Sequence, residues 1–371
     1  MTLYIGLNSG TSMDAVDAAL VDIDDESRCH IRHYREIPYP PTLASRLHAA
    51  RRNAARLTLP ELYQLDVEVG RAFATAAVQL LSAEKLDAGN VAAIGSHGQT
   101  LYHQPRGDTP YSVQIGDLNT IAARTGIATI GDFRRMDMAL GGQGAPLAPL
   151  FHAAVFRHES RGRAIVNIGG IANVTILRAN SSNIIGFDSG PGNALMDEWA
   201  REHIGQAYDK DGQWAANGRI NDALLQALLA DDYFKLRPPK STGREYFNRE
   251  WLQVHLANLP IVPNANDVQT TLLQLAACSI AAALAPDASV AEIYVCGGGA
   301  KNAALMQALR TALPAKKVST TAELGVAPEA VEAVLFAWLA RQRQIGLPVS
   351  LGSITGASGP AILGGVYLPP P

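Results

Sequence analysis

The stretch GFDSGPGNALMD, residues 186–197, holds the densest set of residues able to do chemistry. Asn183, Ile184 and Ile185 lead into it as the end of a buried strand. Asp188 follows, then a tight Ser189-Gly190-Pro191-Gly192 turn, and from Asn193 the pattern Ala194, Leu195, Met196, Trp199, Ala200 predicts a helix. Backbone N–H groups at a helix start have no intrahelical partner and can hold phosphate. A carboxylate beside them can take a proton from an attacking oxygen. The alternative is an ordinary strand-to-helix connection in which Asp188 caps the turn.

Other loops carry compatible groups. Leu3–Leu7 and Val16–Ile23 read as a hairpin whose loop contains Asn8, Ser9, Gly10, Thr11, Ser12, Met13 and Asp14. Gly10 allows close backbone approach to a ligand, the hydroxyls donate, and Asp14 can face a metal; a plain polar turn is the competing reading. The phosphate-binding pattern GxxxxGK[ST] occurs nowhere. The strand Val91–Ile94 runs into GSHGQT, where His97, Gln99 and Thr100 suit sugar hydroxyls. Arg134 and Arg135 either grip a carboxylate or phosphate or pair with Asp132 and Asp137. Ala164–Ile168 and Ala172–Leu177 form a predicted hairpin about Gly169-Gly170, with Asn167 and Asn173 at its polar end. Lys240, in KSTGRE, either approaches nucleotide phosphates or is an exposed loop lysine. The strand Glu292–Cys296 ends in Gly297, Gly298 and Gly299 before a helix from Lys301, leaving room for a base, ribose or phosphate. A GxGxxG dinucleotide motif is not met, because its sixth position is Asn302.

The elements that must position these groups alternate between strand and helix. Helices are predicted over Pro41–Arg52, Pro60–Ser82, Asn221–Leu229, Gln269–Leu284 and Pro328–Gln342, with further strands at Tyr111–Ile115 and Ile127–Ile130. Residues 32–41, with three prolines, read as irregular. In the last helix Val331, Val334, Leu335, Trp338 and Leu339 face inward, and Glu332 sits about 100° off that stripe, on the surface or in a cleft. The glycines and prolines of Ala139–Pro149 mark a crossing between domains.

The chain has 371 residues, 47% hydrophobic and 18% charged, which describes a globular protein of two domains rather than one core. A net charge of −3 without a basic block points away from nucleic acid and membrane surfaces as partners. Cys29, Cys278 and Cys296 are far apart, without a CxxC pair, as expected in a reducing cytoplasm. No signal peptide and no apolar run of membrane-spanning length are expected.

In order along the chain, GLNSGTSMDAVD (6–17), IGSHGQT (94–100), GDFRRMDMALGGQGAPLAP (131–149), NIGGIANVT (167–175), GFDSGPGNALMD (186–197), KSTGRE (240–245) and VCGGGAKN (295–302) closely resemble the anhydro-N-acetylmuramic acid kinases of bacterial cell-wall recycling. The resemblance covers nearly the whole chain. It implies an α/β fold of the actin-like ATPase, ribonuclease H-like kind: two domains of related βββαβα core and an interdomain nucleotide cleft. Domains are expected over residues 1–140, joined by 355–371, and over 141–354. It further implies that ATP, water and 1,6-anhydro-N-acetylmuramic acid give ADP and N-acetylmuramic acid 6-phosphate.

Carried over by residue, the resemblance makes Asp188 the catalytic base and Gly10, Thr11, Ser12, Met13, Asp14, Ala15, Val16 and Asp17 the ATP loop. Asn173, Gly190, Gly192 and Lys240 would face phosphates, and Gly297, Gly298 and Gly299 the adenosine. His97, Gln99, Thr100, Arg134 and Glu332 resemble the sugar side, an arginine suiting the lactyl carboxylate. Mg²⁺ is implied, with Asp14 as its candidate protein ligand. Ala15 stands where much of the family has glycine, which touches only loop geometry. A homodimer and closure of the domains on the sugar are the family's analogy. Two other functions compete: a hexosamine kinase acting on a free hydroxyl, and a switch ATPase that hydrolyses ATP without sugar.

Overall fold

The computed structural model describes every residue except Thr11, Ala54, Ala55 and Pro239. The chain forms two compact units. Unit 1 is Met1–Val155 with Ala330–Pro371, and unit 2 is Phe156–Glu329. These limits differ from the 140/141 and 354/355 divisions expected from sequence. The helix Val331–Gln344 therefore belongs to unit 1.

In unit 1, β1 (Thr2–Ser9), β2 (Ala15–Ile23) and β3 (Cys29–Pro38) form an antiparallel meander. β4 (Val91–Gln104) runs parallel to β1, and β6 (Thr129–Gly131) parallel to β4. β5 (Tyr111–Ile115) pairs with the end of β4, and a terminal strand, Gly365–Tyr367, pairs with β6. The 32–41 stretch is thus mostly strand, not irregular. Pro38 is the last residue of β3, an edge strand with no further neighbour, where a missing N–H breaks no ladder bond.

The long helix Leu59–Glu84 starts at a capping box: Thr58 Oγ1 accepts from Glu61 N, and the Glu61 carboxylate accepts from Thr58 N. Such a cap contributes about 1 kcal/mol. Its buried stripe, Leu65, Val69, Phe73, Ala76, Ala77 and Leu80, lies in the same core as β1, β2 and β4.

The Val331–Gln344 helix is buried on almost every side, except at Glu332 and its last two residues, so the amphipathic pattern expected of it is incomplete. Its seat explains two glycines. Gly6 of β1 and Gly95 of β4 are paired in register. A Cβ at Gly6 would lie 1.7 Å from Ala333 O, and one at Gly95 1.9 Å from Phe336 O.

Unit 2 repeats the strand plan. β7 (Gly162–Ile168), β8 (Ile171–Leu177) and β9 (Ile184–Pro191) are an antiparallel meander. β10 (Val290–Cys296) and β11 (Lys317–Thr320) extend it in parallel from β7. The sheet order β11-β10-β7-β8-β9 matches the order β6-β4-β1-β2-β3 of unit 1. Each unit thus has the ribonuclease H-like arrangement: a meander whose first strand is flanked by parallel strands reached through crossovers.

The central helix of unit 2, Ala265–Leu284, is long and apolar enough to cross a membrane by length and composition, contrary to the sequence expectation. Its Val268, Leu272, Leu275, Ala276 and Ile280 are buried in the unit 2 core, the ordinary setting of such a helix in a packed domain.

The glycine floor under the Val331–Gln344 helix yields a test. Gly6→Ala forces backbone to separate from backbone, since no rotamer change relieves a contact with a carbonyl oxygen. It should destabilise the chain by about 3 kcal/mol or more, read as a lower urea midpoint. Gly89→Ala, with nothing within 4 Å of its Cβ, serves as the tolerated control.

Candidate active site

In unit 2, β9 does not stop before Asp188. It runs on to Pro191, so Ser189, Gly190 and Pro191 of the expected tight turn are still strand. A register irregularity between Ala172 and Asn173 sets Asp188 opposite Asn173. Asn173 Nδ2 donates to Asp188 Oδ1 at 3.0 Å, and Thr242 N donates to Oδ2 at 3.0 Å. The backbone is tied as well: Asp188 N donates to Lys240 O, and Tyr233 Oη donates to Asp188 O at 2.8 Å. Burial raises the Asp188 carboxyl above the ordinary carboxylate value, against the Thr242 and Asn173 hydrogen bonds that favour its charged form. A carboxylate fixed at both oxygens, with its proton affinity raised by desolvation, is suited to general-base work.

The glycines after Asp188 have packing roles. A Cβ on Gly190 would meet the Phe234 ring at 2.7 Å, and one on Gly192 would meet Gly169 O at 2.4 Å. The amides of residues 192–194, leading into the helix Ala194–Ile204, are already engaged. Gly192 N and Ala194 N donate to Gly170 O, and Asn193 N donates to Gly169 O. Lys240 is neither an exposed loop lysine nor an outward-reaching cation. Its Nζ donates to Tyr233 O at 3.2 Å and lies 4.6 Å from the centre of the Tyr233 ring.

At the end of β10, Gly297 and Gly299 pack against Asn167 and Ile168, whereas a Cβ on Gly298 would meet nothing closer than Asn193 Nδ2 at 3.6 Å. A short 3-10 turn, Gly298–Lys301, leads to Asn302, whose side chain accepts from Leu305 N and caps the next helix. Of the three glycines, Gly298 leaves the most open backbone.

In unit 1 the β1–β2 loop is held from β4. Gln99 Nε2 donates to Gly10 O at 3.2 Å, and Ser9 Oγ donates to Gln99 Oε1 at 2.7 Å. Met13 N closes a turn onto Gly10 O, and Ser12 Oγ donates to the exposed Asp14 at 2.6 Å. Thr11 lies outside the described residues. Met13, Ala15 and Val16 turn their side chains into the core, so only their backbone is offered to a ligand. Tyr34 Oη donates to Asp17 at 2.5 Å. Burial pushes the Asp17 carboxyl up to about 7, against that hydrogen bond and helped by the charges of Glu332, Glu36 and Asp14.

The paired arginines divide their work. Arg135 meets Asp132 at 2.9 Å on the surface. Arg134 Nε donates to His97 Nε2 at 3.0 Å, and its Nη1 donates to Gly144 O. Burial lowers Arg134 to about 10, opposed by Glu332 and Asp137. His97, stacked on Phe336 with centroids 4.5 Å apart, is held well below its ordinary value by burial and by Arg134. It is therefore neutral at pH 7, with its proton on Nδ1. Gln114 Nε2 donates to Thr100 Oγ1 at 3.1 Å. Asn8 Nδ2 donates to Glu332 Oε2 at 2.6 Å, so the exposed Glu332 is tied to the base of the β1–β2 loop.

Unit 1 thus holds three hydrogen-bonded groups: His97 with Arg134, Gln99 with the loop hydroxyl of Ser9, and Glu332 with Asn8, a residue given no role from sequence. Thr242 and Tyr233 in unit 2 were also unassigned. Thr242 acts through its backbone N–H, a contact that the residue types of KSTGRE do not signal.

Comparison with known proteins agrees in extent with these motifs. The family model Anhydro-N-acetylmuramic acid kinase matches residues 2–369. Proteins named anhydro-N-acetylmuramic acid kinase are similar along their length. That of Shewanella loihica is 48% identical over 364 residues, covering 98% of each chain. That of Saccharophagus degradans is 48% identical with 99% of each chain covered, and that of Vibrio cholerae 46% identical with 99% of this chain and 98% of its own.

The Asn173 contact can be weighed directly. Asn173→Leu keeps the shape but removes a hydrogen bond that favours the charged carboxylate. The Asp188 pKa, followed by carboxyl-carbon NMR titration, should move further up. An unchanged or lower value would mean that Asn173 does not tune the acid.

Proposed function

Because the chain belongs to the anhydro-N-acetylmuramic acid kinase family, we propose that it opens 1,6-anhydro-N-acetylmuramic acid with water and phosphorylates it from ATP. The product is N-acetylmuramic acid 6-phosphate, and the setting is cytoplasmic recycling of the cell wall. The observation that best supports the chemistry is the half-buried Asp188 carboxylate, fixed at both oxygens and raised in proton affinity.

In this reading Asp188 takes a proton from water. The water oxygen bonds to the anomeric carbon, and the bond from that carbon to the bridging oxygen breaks. The electron pair stays on the bridging oxygen, O6, which bonds to the γ-phosphorus of ATP as ADP departs with the electrons of the broken P–O bond. One water is consumed, and its oxygen becomes the anomeric hydroxyl. Asn173 and the Thr242 amide hold the base in line. Neutral His97 with Arg134, and Gln99, Thr100 and Glu332, bind the sugar, the arginine meeting the lactyl carboxylate.

Gly10–Asp17 and the 190–192 segment lie along the phosphates, and Gly297–Gly299 along the adenosine. Mg²⁺ accompanies ATP and neutralises phosphate charge when bound. Such an ion is held largely by phosphates and water with one or two carboxylates. The lone exposed carboxylate of Asp14 fits that role, and among the described residues no cluster of three or more His, Cys, Asp or Glu side chains forms a protein cage.

The test is ADP release with Mg-ATP and the anhydro sugar in ¹⁸O-water, with mass analysis of product. Label at the anomeric hydroxyl of a 6-phosphorylated sugar is expected. ADP formed with the anhydro ring intact, or only with an open hexosamine, would instead indicate a simple kinase. Asp188→Asn should keep nucleotide affinity while kcat drops by about 10²–10⁴-fold. In the parent chain, kcat should fall as pH drops through the Asp188 pKa, above the ordinary carboxylate range, because the base acts deprotonated.

A further inference from the structure

A bound triphosphate needs positive charge, and the phosphate-facing residues assigned in unit 2 offer little. Asn173, Gly190 and Gly192 are neutral, and the amides of residues 192–194 already donate to Gly169 and Gly170 carbonyls. Lys240 is turned onto Tyr233, where burial lowers its proton affinity.

Four residues further on, Arg244 does something different. A Cβ built on Gly170 would lie 2.6 Å from Arg244 Nε and 2.6 Å from its Nη2. The guanidinium therefore rests on the bare backbone of the β7–β8 turn, a place that any other residue at 170 would deny it. Arg244 is exposed. Its charge also reaches Asp197, in the first turn of the Ala194–Ile204 helix.

The hairpin beneath Arg244 is the one whose Asn173 holds Asp188 Oδ1, and Thr242, two residues before it, holds Oδ2. One short strap thus places an amide on the candidate base and a guanidinium on the adjoining turn. A planar fork of donors suits phosphate oxygens better than a lysine point charge.

We propose that Arg244 is the phosphate-binding cation of unit 2 and meets the terminal phosphates of the nucleoside triphosphate. This rests on the kinase reading of the same site and extends it to a residue not assigned before. The experiment uses the full chain. Calorimetric affinity for ADP and for a non-hydrolysable ATP analogue is measured without sugar, and kcat/KM for ATP with it.

Arg244→Ala should weaken the analogue by about tenfold or more and lower kcat/KM by about 10²–10³-fold, with the unfolding midpoint unchanged. Arg244→Lys should fall between, and millimolar guanidinium should restore part of the alanine variant's rate. Analogue affinity and kcat/KM at parent values in Arg244→Ala would overturn the proposal. So would a loss that comes with a lowered midpoint and no guanidinium response, since that reports packing on Gly170 alone. The binding arm needs no sugar. Failure of the parent chain to phosphorylate the anhydro sugar would therefore be seen separately from failure at Arg244.

Discussion

Desolvation of one carboxylate is the constraint around which unit 2 is arranged. An ionised acid taken out of water is costly unless donors replace the lost hydration. The site supplies two, the Asn173 amide and the Thr242 backbone N–H, one to each oxygen. The balance still favours the protonated form relative to water, because burial outweighs both hydrogen bonds. In the proposed role that compromise suits a base, which needs a proton affinity above that of an ordinary carboxylate. Nearby, Tyr233, Phe234, Tyr246, Phe247 and Trp251 stack on one another, and Lys240 of the strap lies against the Tyr233 ring.

The same strand order in both units is put to different uses. In unit 2 the meander carries the acid on its third strand, next to a glycine turn. In unit 1 the third strand, β3, carries none of the assigned groups beyond support for Asp17 through Tyr34. The polar groups there gather instead at the ends of β1 and β4 and at the start of the Val331–Gln344 helix. That gathering depends on Gly6 and Gly95. Their missing side chains let the helix backbone sit directly on the sheet, which brings Glu332 to Asn8.

Much of this was legible in the sequence because it is local. The alternating runs of β1, β2, β7, β8 and β10 and the apolar stripe of Leu59–Glu84 follow from two-residue and 3.6-residue periods. Asp188 stood out because an acid at a strand end beside glycines is a recurrent chemical arrangement. Long-range information was not legible. The extension of β9 through Pro191 comes from pairing with β8, which overrides the turn chemistry of Ser-Gly-Pro-Gly. The placement of Val331–Gln344 in unit 1 comes from a glycine floor about 240 residues and more earlier in the chain. The prolines of 38–41 suggested irregular chain, but an edge strand tolerates a proline at its last residue.

Lys240 and Arg244 show where residue type stops being informative. Both lie in one six-residue motif, both are cationic, and lysine is the commoner partner of phosphate in glycine-rich loops. What separates them is direction. Lys240 precedes the residue whose amide grips Asp188, and its flexible stem folds back over the Tyr233 ring to bond a backbone carbonyl. Arg244 follows that residue, where the chain has turned toward Gly169-Gly170. Its flat guanidinium can lie on a glycine backbone as an ammonium on four methylenes would not. Gly170 then has a reason beyond the turn it makes: it is the surface on which the charge is laid.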